Sequence, residues 1–165
     1  MTTYEHAKHL YSLGMSLIPV NPDTKIPAVR WKLYQTERCT PADLRQWFQW
    51  SGFAIGIVTG ELSGIVAIDC DDLDAIDTLL DYTCSGDVIE ESLCRQHTKR
   101  GMHFIYRHPG TDTRNTVRLL GAKIDRRADG GYIRAYADSQ RWTVGDLATA
   151  PVYQDVPRES MVVCE

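Results

Sequence analysis

Two aspartates separated by one residue are the first candidates for chemistry in this chain. Asp69 and Asp71 follow an apolar, β-branched run, Gly64 to Ile68, which predicts a buried strand. Because successive strand side chains point to opposite faces, both carboxylates should emerge on one face, about 7 Å apart along the strand. Carboxylate oxygens are the ligands that Mg²⁺ and Mn²⁺ prefer. The pair therefore suggests a metal site, although exposed aspartate pairs that bind no metal are also common.

A second candidate segment places a hydroxyl group and two cations before a glycine: Thr98, Lys99, Arg100 and Gly101. The glycine would let the backbone approach a ligand, and His103 stands on the strand that follows. If His103 points the same way as Ile105, it could instead be a core histidine with satisfied hydrogen bonds. The neighbouring cations and hydroxyl favour contact with a phosphate or triphosphate group.

A third candidate segment places a carboxylate at a strand end beside two arginines: Asp125, Arg126 and Arg127. One interpretation is a structural aspartate held in a salt bridge. The other is a third metal ligand flanked by cations that bind phosphate. The residues alone leave both interpretations open.

Composition restricts the class of protein. The chain has 165 residues, 43% apolar and 24% charged, which is typical of one soluble globular domain. No stretch approaches the roughly 20 apolar residues that span a membrane, and the N-terminus lacks a signal peptide pattern. Five scattered cysteines fit reduced thiols better than a disulfide framework. We therefore expect a cytoplasmic protein that does not enter the membrane.

Charge is unevenly distributed along the chain, although the net charge is only −4. Residues 61–91 contain ten Asp or Glu and no Lys or Arg, whereas residues 95–134 contain ten Lys or Arg against three acids. An acidic segment that could hold metal is thus followed by a basic segment that could hold phosphate. Two solvated faces of opposite sign would give the same pattern.

The periodicity of the sequence predicts a mixed α+β domain rather than a regular βαβ alternation. A helix over 3–13, a strand over 16–20 and a helix that begins at Thr40-Pro41 come first. The apolar runs 53–59 and 64–71, joined by residues 60–63, predict a hairpin. Leu73, Ile76, Leu79 and Leu80 form a helical stripe. Later strands are predicted over 102–107, 122–126 and 131–136. We expect one catalytic domain over 1–148 and an irregular tail over 149–165.

The three candidate segments together resemble the catalytic core of the archaeo-eukaryotic primase superfamily, above all the bifunctional primase-polymerase (prim-pol) domains of plasmid and phage replication proteins. The first motif of that family, Asp-x-Asp, is matched by Asp69 and Asp71. The second motif is matched by Thr98, Arg100, Gly101 and His103. The third motif is matched by Asp125, Arg127, Gly130, Gly131 and Tyr132. An N-terminal stretch with Lys25, Pro27 and Trp31 is also similar, so the likeness spans residues 4–136.

The resemblance implies a two-layer fold, with an RRM-like mixed or antiparallel sheet, helices and a small N-terminal α/β unit around a cleft. It implies a DNA primase or polymerase that uses single-stranded templates to replicate a plasmid, phage or mobile element. Two Mg²⁺ or Mn²⁺ ions would be held by Asp69, Asp71 and Asp125. The nucleoside triphosphate would contact Thr98, Lys99, Arg100, Gly101, His103 and Arg127. The template would contact Arg107, Arg114 and Arg118, and a helicase on a separate chain is a plausible partner.

Two other functions remain open. Prim-pol domains commonly follow Gly-Gly-Tyr with a Pro-Pro-Ser turn, whereas this chain has Arg134 to Ser139 there, so a non-catalytic module that binds nucleotide or single-stranded DNA is one alternative. A metal-dependent nuclease is the other, although a nuclease does not need the triphosphate element. Zinc is not expected, because Cys84, Cys94 and His97 are one ligand short of a tetrahedral site.

Overall fold

The computed structural model describes residues 1–83, 94–121, 123–138, 141–143 and 150–154. They form an α+β fold, as the sequence predicts. The helices are α1 (Thr3–Ser12), α2 (Pro41–Arg45), which continues as a π-helical turn (Gln46–Trp50), and α3 (Leu73–Thr83), with 3₁₀ turns at Trp31–Gln35 and Leu119–Gly121. The strands are β1 (Ser16–Val20), β2 (Ala54–Val58), β3 (Ile65–Cys70), β4 (Cys94–His97), β5 (Met102–Arg107), β6 (Ile124–Arg127), β7 (Tyr132–Ala135) and β8 (Trp142–Thr143).

These strands make two antiparallel sheets. One sheet has three strands in the order β1-β2-β7, and the other has five in the order β6-β3-β5-β4-β8. Every strand pairing described between neighbours is antiparallel. Strand β3, which carries Asp69, is an inner strand of the larger sheet, so its functional residues have a neighbouring strand on each side.

The predicted helix starts are confirmed. Thr2 caps α1 and Thr40 caps α2, each as part of a capping box with the acid three residues later. In both boxes the threonine hydroxyl accepts the backbone N–H of the acid, and the acid accepts the backbone N–H of the threonine. Each box satisfies two backbone donors that the first turn leaves unpaired.

The predicted hairpin between β2 and β3 is wrong. The two strands lie in different sheets, and an isolated bridge between Gly60 and Ile65 closes the turn that joins them. Nearly all residues of both strands are buried, so each is covered on both faces, and β2 is the central strand of its own sheet. A turn closed by the bonds from Gly60 N to Ile65 O and from Gly64 N to Gly60 O carries the chain from one sheet to the other.

A second turn between the sheets packs against the first. The turn at residues 128–131, closed by the bond from Gly131 N to Ala128 O, joins β6 of the larger sheet to β7 of the smaller one. Thr59 donates its backbone N–H to Gly131 O and its hydroxyl to Ala128 O. Asp129 accepts the backbone N–H of Glu61 through Oδ1. These bonds fix the relative position of the two sheets beside the candidate site.

Alternation along β3 divides its side chains between two cores. Ile65 and Ala67 enter a first core that both sheets build together with α1 and α2. Val66, Ile68 and Cys70 enter a second core under α3. Cys70 is fully buried there, on the face opposite Asp69, because successive strand side chains alternate between faces. Asp69 is the next residue after Ile65 and Ala67 on the same face of β3. Its side chain therefore emerges at the edge of the first core.

The predicted apolar stripe of α3 is partly wrong. Leu73 is 70% exposed and Leu80 is 38% exposed, whereas Ala75 and Leu79 are buried in the second core. Strand β4 was not predicted at all. Its short Cys-Arg-Gln-His sequence has no hydrophobic alternation that would indicate a strand.

Residues 150–154 cover the second core. Tyr153 is buried and its ring lies 5.8 Å from that of Tyr106, while Arg107 donates its backbone N–H to Pro151 O and accepts the N–H of Tyr153. The domain boundary at residue 148 stays a prediction, and residues 149 and 155–165 lie outside the described residues. None of the described helices is sufficiently long and apolar to cross a membrane.

Candidate functional site

The strand register brings the three candidate segments together on one face of the larger sheet. Asp69 lies opposite His103 of β5 on one side and opposite Asp125 of β6 on the other. His103 in turn lies opposite Gln96 of β4. Residues opposite each other on neighbouring strands share a face. Asp125, Asp69, His103 and Gln96 therefore form a row across four strands, which we call the cross-strand row.

His103 is buried and bonded on both ring nitrogens. Its Nε2 lies 3.3 Å from Asp69 Oδ1, and its Nδ1 lies 2.8 Å from Gln96 Nε2. His103 points to the same face as Ile105 of the first core, but its ring contacts the Asp69 carboxylate at the edge of that core. Burial acts to raise the pKa of Asp69, but the hydrogen bond from His103 and the charges of Arg127 and Lys25 outweigh burial and hold that pKa below its usual value.

Both carboxylate oxygens of Asp125 have hydrogen-bond donors in this structure. Its Oδ2 lies 2.6 Å from Arg127 Nη2, and its Oδ1 accepts the backbone N–H of Arg118 at 3.1 Å. Of the two interpretations left open by the sequence, the salt-bridged aspartate is the arrangement present in this structure. Coordination of a metal by Asp125 would require Arg127 to release Oδ2.

Asp71 is the most exposed of the three aspartates. Partial burial, followed by the negative charges of Asp69 and Asp125, raises the pKa of Asp71 above its usual value. A cation bound between these carboxylates would relieve that repulsion. Among the described residues, however, no group of three or more His, Cys, Asp or Glu side chains is placed to hold one metal ion. The three-carboxylate metal site therefore stays a prediction.

The turn between β4 and β5 is held by Thr98 and Gly101. Thr98 donates its backbone N–H to Gly101 O, and its hydroxyl accepts the N–H of Gly101 at 3.0 Å. A Cβ on Gly101 would lie 1.9 Å from Cys70 O and 2.8 Å from the carbonyl carbon of Asp71. The glycine thus allows close approach to the chain's own backbone beside the aspartates. The expectation that Gly101 also approaches a ligand stays a prediction.

A cleft opens where the two sheets meet, with a volume of about 350 Å³, within the range of small-molecule sites. Its lining is acidic, basic and aromatic: Lys25, Trp31, Asp69, Asp71, His103, Asn115, Arg127, Gly130, Gly131, Tyr132, Ile133 and Arg134. Four of the predicted site residues are in this lining, namely Asp69, Asp71, His103 and Arg127. The other predicted residues, Thr98, Lys99, Arg100, Gly101 and Asp125, lie outside the lining.

Sequence reasoning assigned no role to four residues at the site. Lys25 and Trp31 come from the N-terminal stretch, and Asn115 comes from the loop before β6. Lys25 has a left-handed backbone with φ of 61° and accepts the Tyr132 hydroxyl through its carbonyl. The fourth residue, Gln96, belongs to the unpredicted strand β4. Lys25 and Trp31 belong to the N-terminal stretch that is similar to the family, whereas no local pattern indicated Asn115 or Gln96, whose positions follow from the packing of the two sheets.

The three predicted template contacts have different surroundings. Arg107 lies at the opposite end of β5 from His103, and its Nε donates to Ala150 O. Arg114 is exposed and pairs with Asp112 at 3.1 Å. Arg118 is exposed and is tied to Asp125 through its backbone. The structure places only Arg118 beside a residue of the cross-strand row.

The candidate zinc ligands do not meet within the described residues. Cys94 is buried in the first core, and His97 is exposed at the end of β4. Cys84 lies outside the described residues. The described part of the chain offers no zinc site at this position.

The fold and the cleft define a two-sheet α+β protein in which acidic and basic side chains face one ligand-sized space. The Prim-Pol family, described as "Bifunctional DNA primase/polymerase, N-terminal", matches residues 7–154, and the chain belongs to this family. No curated protein matches the sequence. The family is one of DNA primases and polymerases, which are nucleotidyltransferases, so membership indicates a primase/polymerase function in DNA replication.

Proposed function

We propose that this protein is a metal-dependent nucleotidyltransferase that adds nucleotides on single-stranded DNA templates, as a primase, a polymerase or both. The observation that carries this proposal is the cross-strand row, which sets Asp69, His103 and Asp125 side by side, with Asp69 and His103 in the lining of the cleft between the sheets. Acidic groups for a cation and basic groups for a triphosphate thus face one space. Phosphoryl transfer requires this combination, because its catalysis is mostly positioning and charge stabilisation.

The chemistry of the carboxylates fits Mg²⁺ or Mn²⁺. Asp69 is at the end of β3 with Asp71 two residues later, and Asp125 is opposite Asp69. Partial burial, followed by the charges of Asp69 and Asp125, raises the pKa of Asp71. These are hard oxygen donors in a set with surplus negative charge. Two ions bound there would lower the pKa of the attacking 3′-hydroxyl and neutralise charge on the triphosphate and the leaving pyrophosphate.

The basic residues of the cleft would hold the triphosphate. His103 Nε2 and the Arg127 guanidinium both face carboxylates in this structure, so each has a donor directed into the acidic part of the cleft. Lys25, in the loop after β1, lines the same cleft, and its charge helps to lower the pKa of Asp69 and opposes the rise in the pKa of Asp71. We infer that these three side chains bind phosphate oxygens, with Arg100, Lys99 and Thr98 at the adjacent turn assisting.

A non-catalytic module that binds nucleotide or single-stranded DNA is the second candidate. The ion pair between Asp125 and Arg127 favours it, because a carboxylate neutralised by arginine is less available to a metal. The absence of a converged three-ligand group among the described side chains points the same way. Such a module would keep the triphosphate contacts without the metal chemistry.

Nucleotide incorporation on single-stranded DNA tests the proposal. Reactions with Mg²⁺ or Mn²⁺, with and without a primer, would compare the chain with the double variant Asp69→Ala, Asp71→Ala. We expect product from the wild type and a loss of about 10³-fold in the variant, because the charge that holds the ions is removed. Product in the lane without primer would establish priming.

The matched control is the double variant Asp74→Ala, Asp77→Ala, which removes the same charge from α3, where both residues are exposed. It should retain full incorporation. Equal loss in both double variants would contradict a specific role for Asp69 and Asp71. No product from a folded wild-type protein that still binds nucleoside triphosphate would support the binding module instead.

A further inference from the structure

The inner end of the cross-strand row is a glutamine that no motif indicated. Gln96 on β4 is fully buried and lies directly opposite His103. Its side chain crosses to the smaller sheet, where it contacts the backbone of Arg134 and Tyr136 at the end of β7. A fully buried amide at the junction of two sheets requires partners for each of its polar atoms.

The backbone contacts determine which way the amide of Gln96 points. Gln96 Oε1 accepts the N–H of Tyr136 at 2.8 Å, and a backbone N–H can act only as a donor. Gln96 Nε2 donates to the carbonyl oxygen of Arg134 at 2.7 Å, and a carbonyl can act only as an acceptor. The reverse orientation of the amide would place donor against donor and acceptor against acceptor. The orientation is therefore fixed by the strand it contacts.

The second hydrogen on Gln96 Nε2 then faces His103. The distance from Gln96 Nε2 to His103 Nδ1 is 2.8 Å, so Nδ1 has to accept this hydrogen with its lone pair. In a neutral imidazole the remaining proton then lies on Nε2. That nitrogen is 3.3 Å from Asp69 Oδ1, and both residues belong to the cleft lining. The chain of contacts runs from the β7 backbone through Gln96 and His103 to Asp69.

We propose that Gln96 is a positioning residue that fixes His103 in the tautomer with its proton on Nε2, so that the ring presents a hydrogen-bond donor to the cleft. The opposite tautomer would set two donors against each other between Gln96 and His103 and turn a lone pair toward the Asp69 carboxylate. An anionic oxygen of a bound triphosphate needs the donor, not the lone pair. The consequence for catalysis rests on the proposed function, whereas the tautomer itself does not.

Nitrogen NMR of the wild-type protein tests the tautomer directly. Long-range ¹H–¹⁵N correlation of protein labelled at histidine distinguishes protonated from unprotonated ring nitrogens, and the His103→Asn variant assigns the signals. The spectrum is taken at alkaline pH, well above the pKa of about 6.5 of a free imidazole. We expect the proton of His103 on Nε2 and a lone pair on Nδ1. A proton on Nδ1, or an equal mixture of both tautomers, would overturn the proposal.

Gln96→Met tests whether Gln96 is the cause. Methionine has a similar length but donates no hydrogen bond, so a population with the proton on Nδ1 should appear in its spectrum. Gln49→Met, at an exposed position of the π-helical turn, is the matched control and should leave the His103 signals unchanged. A folded Gln96→Met protein with the wild-type tautomer would contradict the proposal. If that variant does not fold, the wild-type spectrum still decides.

Nucleotide incorporation gives the catalytic readout. We expect kcat/KM of Gln96→Met to fall about tenfold, mainly through KM for the nucleoside triphosphate, since the lost donor contacts that ligand. Gln49→Met should keep the wild-type value. A shifted tautomer with unchanged kcat/KM would refute the positioning role. Absence of incorporation in the wild type would refute the proposed function and leave the tautomer result standing.

Discussion

At the scale of single residues, His6 shows the cost of a buried imidazole without partners. Its side chain is buried, its ring lies 5.6 Å from that of Trp142, and neither ring nitrogen has a hydrogen-bond partner within the described structure. Burial, and to a smaller extent the charge of His9, lowers the pKa of His6 to about 4. His103 is equally buried but has a polar partner at both ring nitrogens. His6 is therefore a packing residue, whereas His103 belongs to the site.

His6 makes the protein sensitive to mild acid. In the unfolded chain its pKa returns to about 6.5, so below that pH the unfolded state binds a proton that the folded state does not. The free energy of unfolding should therefore fall as the pH is lowered from 6.5 toward 4, by about 2 kcal/mol at pH 5 from this residue. Urea denaturation at pH 7 and pH 5 would measure the loss.

The variant His6→Phe should lack this component of the pH dependence. Phenylalanine fills the same place beside Trp142 without a titratable group, and we expect it to be at least as stable as the wild type at pH 7. His9→Gln, at an exposed position of the same helix, is the control and should retain most of the acid sensitivity, because burial is the larger cause of the low pKa of His6. An identical pH dependence in His6→Phe and wild type would contradict the assignment.

At the scale of elements, the turn between β4 and β5 and the end of β3 are packed as one unit. The Thr98 hydroxyl closes the turn, and Gly101 lies against the backbone of residues 70–72. Asp72 continues the same unit, because its carboxylate accepts the N–H of Ala75 at the start of α3 and pairs with Lys123 at 2.7 Å. The position of Asp71 therefore depends on a turn that contributes no side chain to the cleft lining.

Gly101→Ala should displace this unit. The added Cβ would meet backbone atoms that cannot rotate away, so we expect a loss of about 3 kcal/mol in the free energy of unfolding. Weaker binding of nucleoside triphosphate should accompany it. Gly110→Ala is a demanding control, because its Cβ meets no atom within 4 Å although its φ is 78°. It should cost no more than about 1–2 kcal/mol, and equal losses would refute the packing role of Gly101.

At the scale of the whole molecule, the cleft exists because two sheets share the first core and then separate. The chain crosses between them at residues 60–64 and 128–131, and hydrogen bonds join these two turns. The second core is closed from the far end of the chain by Tyr153, whose hydroxyl accepts from Arg126 at 3.2 Å. Arg126 also donates to Arg114 O and Thr116 Oγ1, so this buried cation holds the loop before β6.

Tyr153→Ala should destabilise the whole fold, because it opens the second core beneath Tyr106 and Arg126. We expect a loss of about 3–5 kcal/mol in the free energy of unfolding, measured by urea denaturation. Tyr153→Phe keeps the ring and loses one hydrogen bond, for about 1 kcal/mol. Val152→Ala, at a neighbouring residue that is 43% exposed, should cost less than about 1 kcal/mol. A loss for Tyr153→Ala no larger than that of Val152→Ala would show that residues 150–154 do not support the core.

Local patterns predicted most of the elements and failed where pairing is long-range. The capping boxes at Thr2 and Thr40 and the apolar runs of β1, β3 and β5 depend on neighbours in sequence, so they could be predicted. The prediction of a hairpin at residues 60–63 was wrong because a short turn between two apolar runs fits either a hairpin or a crossing between sheets. Strand β4 was missed because its residues are held by their partners in β5 and β8 rather than by their own pattern.

The sequence by itself determined the chemical groups of the candidate site: the paired aspartates at the end of β3, the histidine on β5 and the aspartate–arginine pair on β6. Only the tertiary structure decided that they share one row, that Lys25, Trp31 and Asn115 complete the cleft, and that Gln96 directs the ring of His103. The physical reason is that residue type is local, whereas register and sheet packing are set by contacts between residues far apart in the chain.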